Sequence, residues 1–127
     1  MSQVKVLIVD DEADFASVLS ERLRLRDYDA QAVFRAEDAL ATIKSGSHEV
    51  VLLDFNLPGM DGIEVLKKIK QTDPTIEVIM LTGGENLKNL EDVIQIGAFD
   101  CLVKPIDIGE LILCMKNAKK KDKMRFM

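Results

Sequence analysis

The chain has 127 residues, 47% hydrophobic and 31% charged, a balance that excludes a fibrous or disordered chain and bounds it to one domain. No apolar run approaches the roughly 20 residues of a membrane span. The net charge of −5 hides an asymmetry: residues 116–127 carry six Lys or Arg against Asp122 alone, and taking these from totals of 17 and 22 leaves 11 basic and 21 acidic residues before them. An acidic body is unsuited to nucleic acid, whose phosphates demand cations. With no Trp and one Tyr, little aromatic surface is left for stacking bases. Cys101 and Cys114 form neither a metal-ligand spacing nor a disulfide framework. No signal-like segment precedes the first strand, so a cytoplasmic location is expected.

Val4-Lys5-Val6-Leu7-Ile8-Val9 reads as a central strand ending on Asp10-Asp11-Glu12. Phe15, Val18, Leu19 and Leu23 then recur on one helical face, and Glu12 and Asp14 suit the dipole at its start. Ala30 to Phe34 form a second, more polar strand, placed at an edge. Ala36, Ala39, Leu40 and Ile43 repeat the helical spacing up to Gly46. Val50 to Leu53 read as a strand buried on both faces, running into Asp54. Pro58-Gly59 and Asp61-Gly62 mark a loop, and Gly62, Val65, Leu66 and Ile69 a third helix. Ile76 to Leu81 make the fourth strand, ending at Thr82-Gly83-Gly84. Leu87, Leu90, Val93 and Ile94 follow as a helix stopped by Gly97. Asp100 to Val103 form the fifth strand, before Lys104-Pro105. Asp107 and Glu110 have capping-box spacing, and Ile108, Leu111, Ile112 and Met115 line the last helix. Strand then helix, five times over, predicts an α/β fold: one parallel sheet with helices on both faces.

The strand ends deliver Asp10, Asp11, Asp54, Thr82 and Lys104 to one edge of that sheet. Three carboxylates repel one another and commonly persist by holding a hard cation. Oxygen ligands with room for water suit Mg²⁺, which binds through few carboxylates plus a phosphate. A hydroxyl from Thr82 and an ammonium from Lys104 are the groups phosphoryl oxygens require. The set points to phosphoryl transfer, with Asp as a nucleophile able to form an aspartyl phosphate.

Four ordered motifs carry a family resemblance: Asp10-Asp11, Asp54 followed by Leu57-Pro58-Gly59-Met60-Asp61-Gly62, Thr82-Gly83, and Gly97-Ala98 leading to Lys104-Pro105. With them the whole chain, 1–127, resembles the receiver domain of bacterial two-component response regulators. The resemblance implies a flavodoxin-like, doubly wound, five-stranded parallel sheet of order 2-1-3-4-5 with five helices. It implies that Asp54 is the phosphoacceptor, supplied by a sensor histidine kinase or a histidine phosphotransfer protein. Asp11, Asp54 and the Asn56 main-chain carbonyl would ligate Mg²⁺, with Asp10 helping through water. Thr82 and Lys104 would bind phosphoryl oxygens, and Gly83 would leave space for the group. The readout surface would be the fourth helix, fifth strand and fifth helix, directed at a downstream protein, a tethered output domain or a phosphorylation-dependent homodimer. Such a domain is an enzyme only toward itself, in its own phosphorylation and autodephosphorylation. The basic tail, 116–127, would be a solvated helix end leading to an output domain.

The chain departs from the family at Cys101, where Tyr or Phe is usual. Either the signal runs without that ring, or Phe99, two residues back and on the same face by strand alternation, partly substitutes. Gly84, two residues after Thr82, offers no side chain where the family tunes access of water. Cys101 reads as a small buried hydrophobe, and His48, before the third strand, lies at the end opposite Asp54. Competing readings are an aspartyl-phosphate hydrolase, which would need a second acid and a cap, and a degenerate receiver serving only as a binding module. A flavin or nucleotide carrier is disfavoured because Asp10-Asp11-Glu12 would repel phosphate.

Overall fold

Alternating apolar residues send each strand's side chains into two separate cores. In this computed structural model, which describes residues 3–85 and 87–124, the elements in order are β1 (Lys5–Val9), α1 (Ala13–Arg24), β2 (Asp29–Val33), α2 (Ala36–Ser45), β3 (Val50–Asp54), α3 (Gly62–Thr72), β4 (Glu77–Thr82), α4 (Leu90–Ile96), β5 (Ala98–Val103) and α5 (Ile108–Met124). The strands pair in parallel in the order β2-β1-β3-β4-β5, which is the expected doubly wound arrangement. Val6, Ile8, Val50, Leu52, Ile79 and Leu81 face α1 and α5. Leu7, Val9, Val51, Leu53, Val78 and Met80 face α2, α3 and α4. With helices on both sides, β3 and β4 are buried throughout, whereas β2 and β5 are partly open as edge strands. Burying one Leu, Ile or Val side chain contributes about 1.5–3 kcal/mol, so these strand interiors dominate the fold's stability.

Several local expectations change. On α1 the buried stripe is Ala16, Leu19, Ser20 and Leu23, while Val18 is exposed; Ser20 is accommodated because its hydroxyl donates to the Ser17 carbonyl at 2.9 Å. The segment after Asp54 is not only a loop. Asn56–Leu57 and Met60–Asp61 pair as a small antiparallel ribbon around Gly59, whose φ of 78° suits glycine. Leu87–Asn89 is a short 3₁₀ turn before α4, and Leu87 and Ile94 are exposed. Asp61 and Asp107 cap α3 and α5, accepting from the Ile63 and Glu110 amides at 2.8 and 2.9 Å. Lys119 is not simply solvated. Its Nζ lies 2.8 Å from Glu49 Oε1, and Glu49 Oε2 accepts from the Lys5 amide at 3.2 Å, tying α5 to the far end of the sheet. The side chains from Lys121 to Lys123, and Arg125, lie outside the described residues.

β5 starts two residues earlier than expected, and its register on β4 slips by one: Val78 pairs with Ala98, but Ile79 pairs with Asp100. Phe99 is the extra residue of this bulge, which breaks the two-residue alternation. Phe99 therefore packs into the α1/α5 core, while Cys101 packs against the α2/α3/α4 core. The two do not share a face, so Phe99 does not stand in for a ring at 101. Burial, then the Asp100 charge, pushes both cysteine thiols up to about 11, so neither is a thiolate at neutral pH.

His48 is buried beside Gln31, whose Oε1 lies 3.3 Å from the ring Nε2. Burial first, and then the Lys5 charge, lowers its pKa against the opposing charge of Asp29. The fold thus prefers neutral His48, and the unfolded chain takes up its proton first as pH falls below about 6.5. This group should remove stability as pH drops through that range. Urea midpoints at about pH 7.5 and 5.5 should therefore differ less, in the destabilising direction, for His48→Gln than for the parent chain.

Candidate active site

The site is built where strands stop. β3 ends on Asp54, β4 ends on Thr82, and Asp10 and Lys104 directly follow β1 and β5. Asp10 and Thr82 have no exposed surface, and Asp54 has 5%. Burying two carboxylates requires compensation, and Lys104 supplies it. Its Nζ lies 2.8 Å from Asp10 Oδ2, 2.9 Å from Glu12 Oε1 and 3.8 Å from Asp54 Oδ2. The ammonium also sits 4.7 Å from the centre of the Phe15 ring, a favourable cation–π distance.

Backbone groups fix the rest. Asp10 Oδ1 accepts from the Glu12 amide at 2.9 Å and Asp54 Oδ1 from the Asn56 amide at 3.3 Å. The Thr82 hydroxyl accepts from the Gly84 amide at 3.1 Å. The Thr82 carbonyl accepts from the Lys104 amide at 2.7 Å, which binds the ends of β4 and β5 together. Gly62 begins α3 directly behind Asp54: its amide donates to the Phe55 carbonyl at 2.9 Å. A Cβ there would stand 2.6 Å from the Asp54 carbonyl oxygen and 2.7 Å from Phe55 Cα.

Burial, then the charge of Asp10, pushes the Asp54 carboxyl up to about 6; the Asn56 amide and Lys104 oppose this, and Asp11 adds to it. For Lys104 burial works against the charge, but the hydrogen bonds it donates to Asp10 and Glu12 and the nearby carboxylate charges outweigh it, and its pKa is raised. The site therefore holds a permanent cation among carboxylates, one of which is reluctant to ionise.

Among the described residues, Asp10, Glu12 and Asp54 each offer a carboxylate oxygen within 4.8 Å of the others, a group able to hold a metal ion. Three hard oxygens with space beside them fit Mg²⁺ better than a soft-metal site. Asp11 is exposed and outside this group, although its charge reaches Asp54. The sequence offers Glu12 only as a helix-start acid. It joins the site through the turn after β1, where its amide donates to Asp10 Oδ1 and its largely exposed carboxylate meets Lys104 at 2.9 Å, a contact that local spacing does not signal. Beside the site, a groove of about 660 Å³ is lined by Glu12, Phe15, Val18, Lys104, Pro105 and Ile106, among others, giving access from solvent toward Lys104.

A parallel sheet of this order, with an Asp, Thr and Lys gathered at its strand ends, is a doubly wound α/β domain with its polar site at the C-terminal edge. The profile of the response regulator receiver domain matches residues 6–116, and the chain belongs to that family, whose members are phosphorylation-dependent switches of two-component signalling. It is 34% identical over 118 residues to the uncharacterized transcriptional regulatory protein YkoG of Bacillus subtilis strain 168, covering 93% of this chain and 52% of that protein. It is 35% identical over 111 residues to sporulation initiation phosphotransferase F of the same strain, covering 87% of this chain and 90% of that one. The crystal structure of a CheY-like response regulator receiver domain protein from Methanospirillum hungatei JF-1 superposes with a TM-score of 0.90 at 27% identity, over 98% of this chain and 99% of that one. The chain spans about half the length of YkoG and about a quarter of several longer proteins named as transcriptional regulators. No helix among the described residues is long and apolar enough to cross a membrane.

Proposed function

We propose that Asp54 takes a phosphoryl group from a phosphohistidine of a sensor histidine kinase or histidine phosphotransfer protein. An Asp54 carboxylate oxygen attacks phosphorus as the N–P bond breaks, and the imidazole leaves with the bonding pair. The observation that carries this reading is the Lys104 ammonium, anchored by Asp10 and Glu12 and 3.8 Å from Asp54 Oδ2, beside a buried threonine hydroxyl. That pair can neutralise and hydrogen-bond phosphoryl oxygens without rearranging the core. Mg²⁺ would be held by Asp10, Asp11, Asp54 and the Asn56 main-chain carbonyl, and when bound it supplies charge neutralisation for the transferring group. Glu12 stands ready as a further oxygen, released whenever Lys104 turns from it toward a phosphoryl group. Residues 1–127 act in this reading as one receiver domain in the cytoplasm, with the basic segment 116–127 leading toward an output. The surface of α4, β5 and α5 passes the signal to a downstream protein, a tethered domain or a second phosphorylated copy.

Incubation with acetyl phosphate and Mg²⁺ should add one phosphoryl group by intact mass. The adduct should vanish in Asp54→Ala and without divalent metal. Without metal, burial and Asp10 push the Asp54 carboxyl up to about 6; a bound cation favours the carboxylate, so the fall in labelling rate on acidification should move to lower pH as Mg²⁺ is raised from limiting to saturating. If no adduct formed and folded protein also failed to bind beryllofluoride, the phosphoryl reading would be abandoned for a binding module.

A further inference from the structure

Gly84 turns the chain sharply after Thr82, with a φ of 108° that favours glycine. The turn brings the next side chain, Glu85, back to the β3 loop. Glu85 Oε1 accepts from the Asn56 side-chain amide at 3.0 Å. Its Oε2 lies 2.8 Å from where a Cβ on Gly83 would stand. Asn56 is two residues beyond Asp54, and Gly83 adjoins Thr82. The Glu85 carboxylate thus bridges the two loops that flank the space between acceptor and threonine. Its partner there is a neutral amide, so the bond leaves the carboxylate charge uncompensated beside a site where Asp10, Asp11, Glu12 and Asp54 outnumber the single ammonium of Lys104.

We propose that Glu85 is a charge gate on the phosphoryl site. Held by Asn56 at rest, it opposes entry of an anionic phosphoryl group and swings away once that group is on Asp54. This rests on Asp54 being the acceptor. A phosphoryl group adds about −1.5 to −2 charge at neutral pH, and repulsion at close range acts against a single exposed hydrogen bond, which is weak. Glu85 lies two residues before the Leu87–Asn89 turn that leads into α4. Its release therefore removes a hydrogen bond that ties the β4–α4 connection to the β3 loop, giving the signal a way to α4 that needs no aromatic ring at Cys101.

The test is beryllofluoride affinity with Mg²⁺ present, read from amide NMR shifts, for the parent chain, Glu85→Gln and Glu85→Ala. Glu85 is exposed, so both variants should fold. Glutamine keeps an acceptor for Asn56 but loses the charge. Both variants should bind roughly threefold tighter at low salt, the size expected for unit charges several ångströms apart in a water-like medium. The gain should shrink toward none at about 1 M salt, a dependence that a merely structural role would not produce. The Asn56 side-chain amide signals should shift on binding in the parent and move little in Glu85→Ala. Equal affinities at low salt, or a gain confined to alanine, would overturn the gate. Failure of the folded parent and both variants to bind would instead overturn the acceptor reading beneath it.

Discussion

Replacing Lys104 by methionine is expected to destabilise the metal-free fold by about 3–5 kcal/mol near neutral pH, the range for removing one partner of a buried ion pair. The side chain is 17% exposed and Asp10 not at all, so its ammonium is the positive charge against which Asp10 is buried. Without it, Asp10, Glu12 and Asp54 face one another unscreened. The loss should shrink as pH falls. The Asp54 carboxyl is already pushed up to about 6 with Lys104 present, and removing the lysine raises it further above its unfolded value. A folded state that binds protons more tightly gains stability as pH drops through those values, so the gap between variant and parent should narrow between about pH 7.5 and 5.5. Millimolar Mg²⁺ should also stabilise the variant more than the parent, because the cation would replace the missing charge and binds only the folded site. Urea unfolding at the two pH values, with and without Mg²⁺, checks all three signs. Phosphorylation of the variant by acetyl phosphate should meanwhile fall steeply even with Mg²⁺ saturating. A variant as stable as the parent in every condition would mean that Lys104 is not the counter-charge the geometry makes it.

Much of this arrangement is legible in the chain because the features are local. Val6 to Val9 and Val50 to Leu53 are continuous apolar runs, and only a strand covered on both faces can use such a run. Carboxylates directly after those runs, Asp10 and Asp54, must emerge at the sheet's C-terminal edge, and Thr82 and Lys104 reach the same edge at the ends of the fourth and fifth strands. What escaped depends on pairing across the chain. The slip that turns Phe99 away from Cys101 exists only because Asp100, and not Phe99, pairs with Ile79. Nothing in the Ala98–Val103 sequence marks it, and strict alternation gives the wrong face. Lys119 reads as one of three exposed lysines until Glu49, 70 residues away, is seen beside it. Glu12, exposed like Asp11, meets the site only because Lys104, 92 residues on, reaches its carboxylate. Glu85 reaches Asn56 only through the turn at Gly84. Each miss is a contact set by tertiary geometry where the local sequence is neutral.

Gly62→Ala should cost about 3 kcal/mol, a Tm drop of roughly 10 °C for a chain of this size, although one methyl group on a helix ordinarily stabilises. Propensity favours alanine over glycine by about 1 kcal/mol in a helix interior, and the φ of Gly62 is not among the positive values that call for glycine. The objection to a side chain is contact. Its Cβ would meet the Asp54 carbonyl oxygen at 2.6 Å and the Phe55 Cα and carbonyl oxygen at 2.7 Å, which is backbone on every side. Those atoms cannot rotate away as a side-chain tip would, and Asp54 is held in β3 by pairing with Leu81 of β4. Either α3 lifts, losing burial of Val65, Leu66 and Ile69, or the Asp54–Phe55 peptide is pushed toward the site. The second route would displace the Asp54 carboxylate relative to Lys104 and Thr82. The variant should therefore lose phosphorylation rate beyond what its unfolded fraction explains. Gly59→Ala provides the comparison: a Cβ there meets nothing within 4 Å, so it carries only the strain of its φ of 78°, about 1 kcal/mol, and should leave the rate at Asp54 near that of the parent. Thermal melts and acetyl phosphate labelling of the two variants side by side separate crowding behind the acceptor from loss of glycine flexibility in the loop. Equal effects at both positions would show that the close approach of α3 to Asp54 does not position the nucleophile.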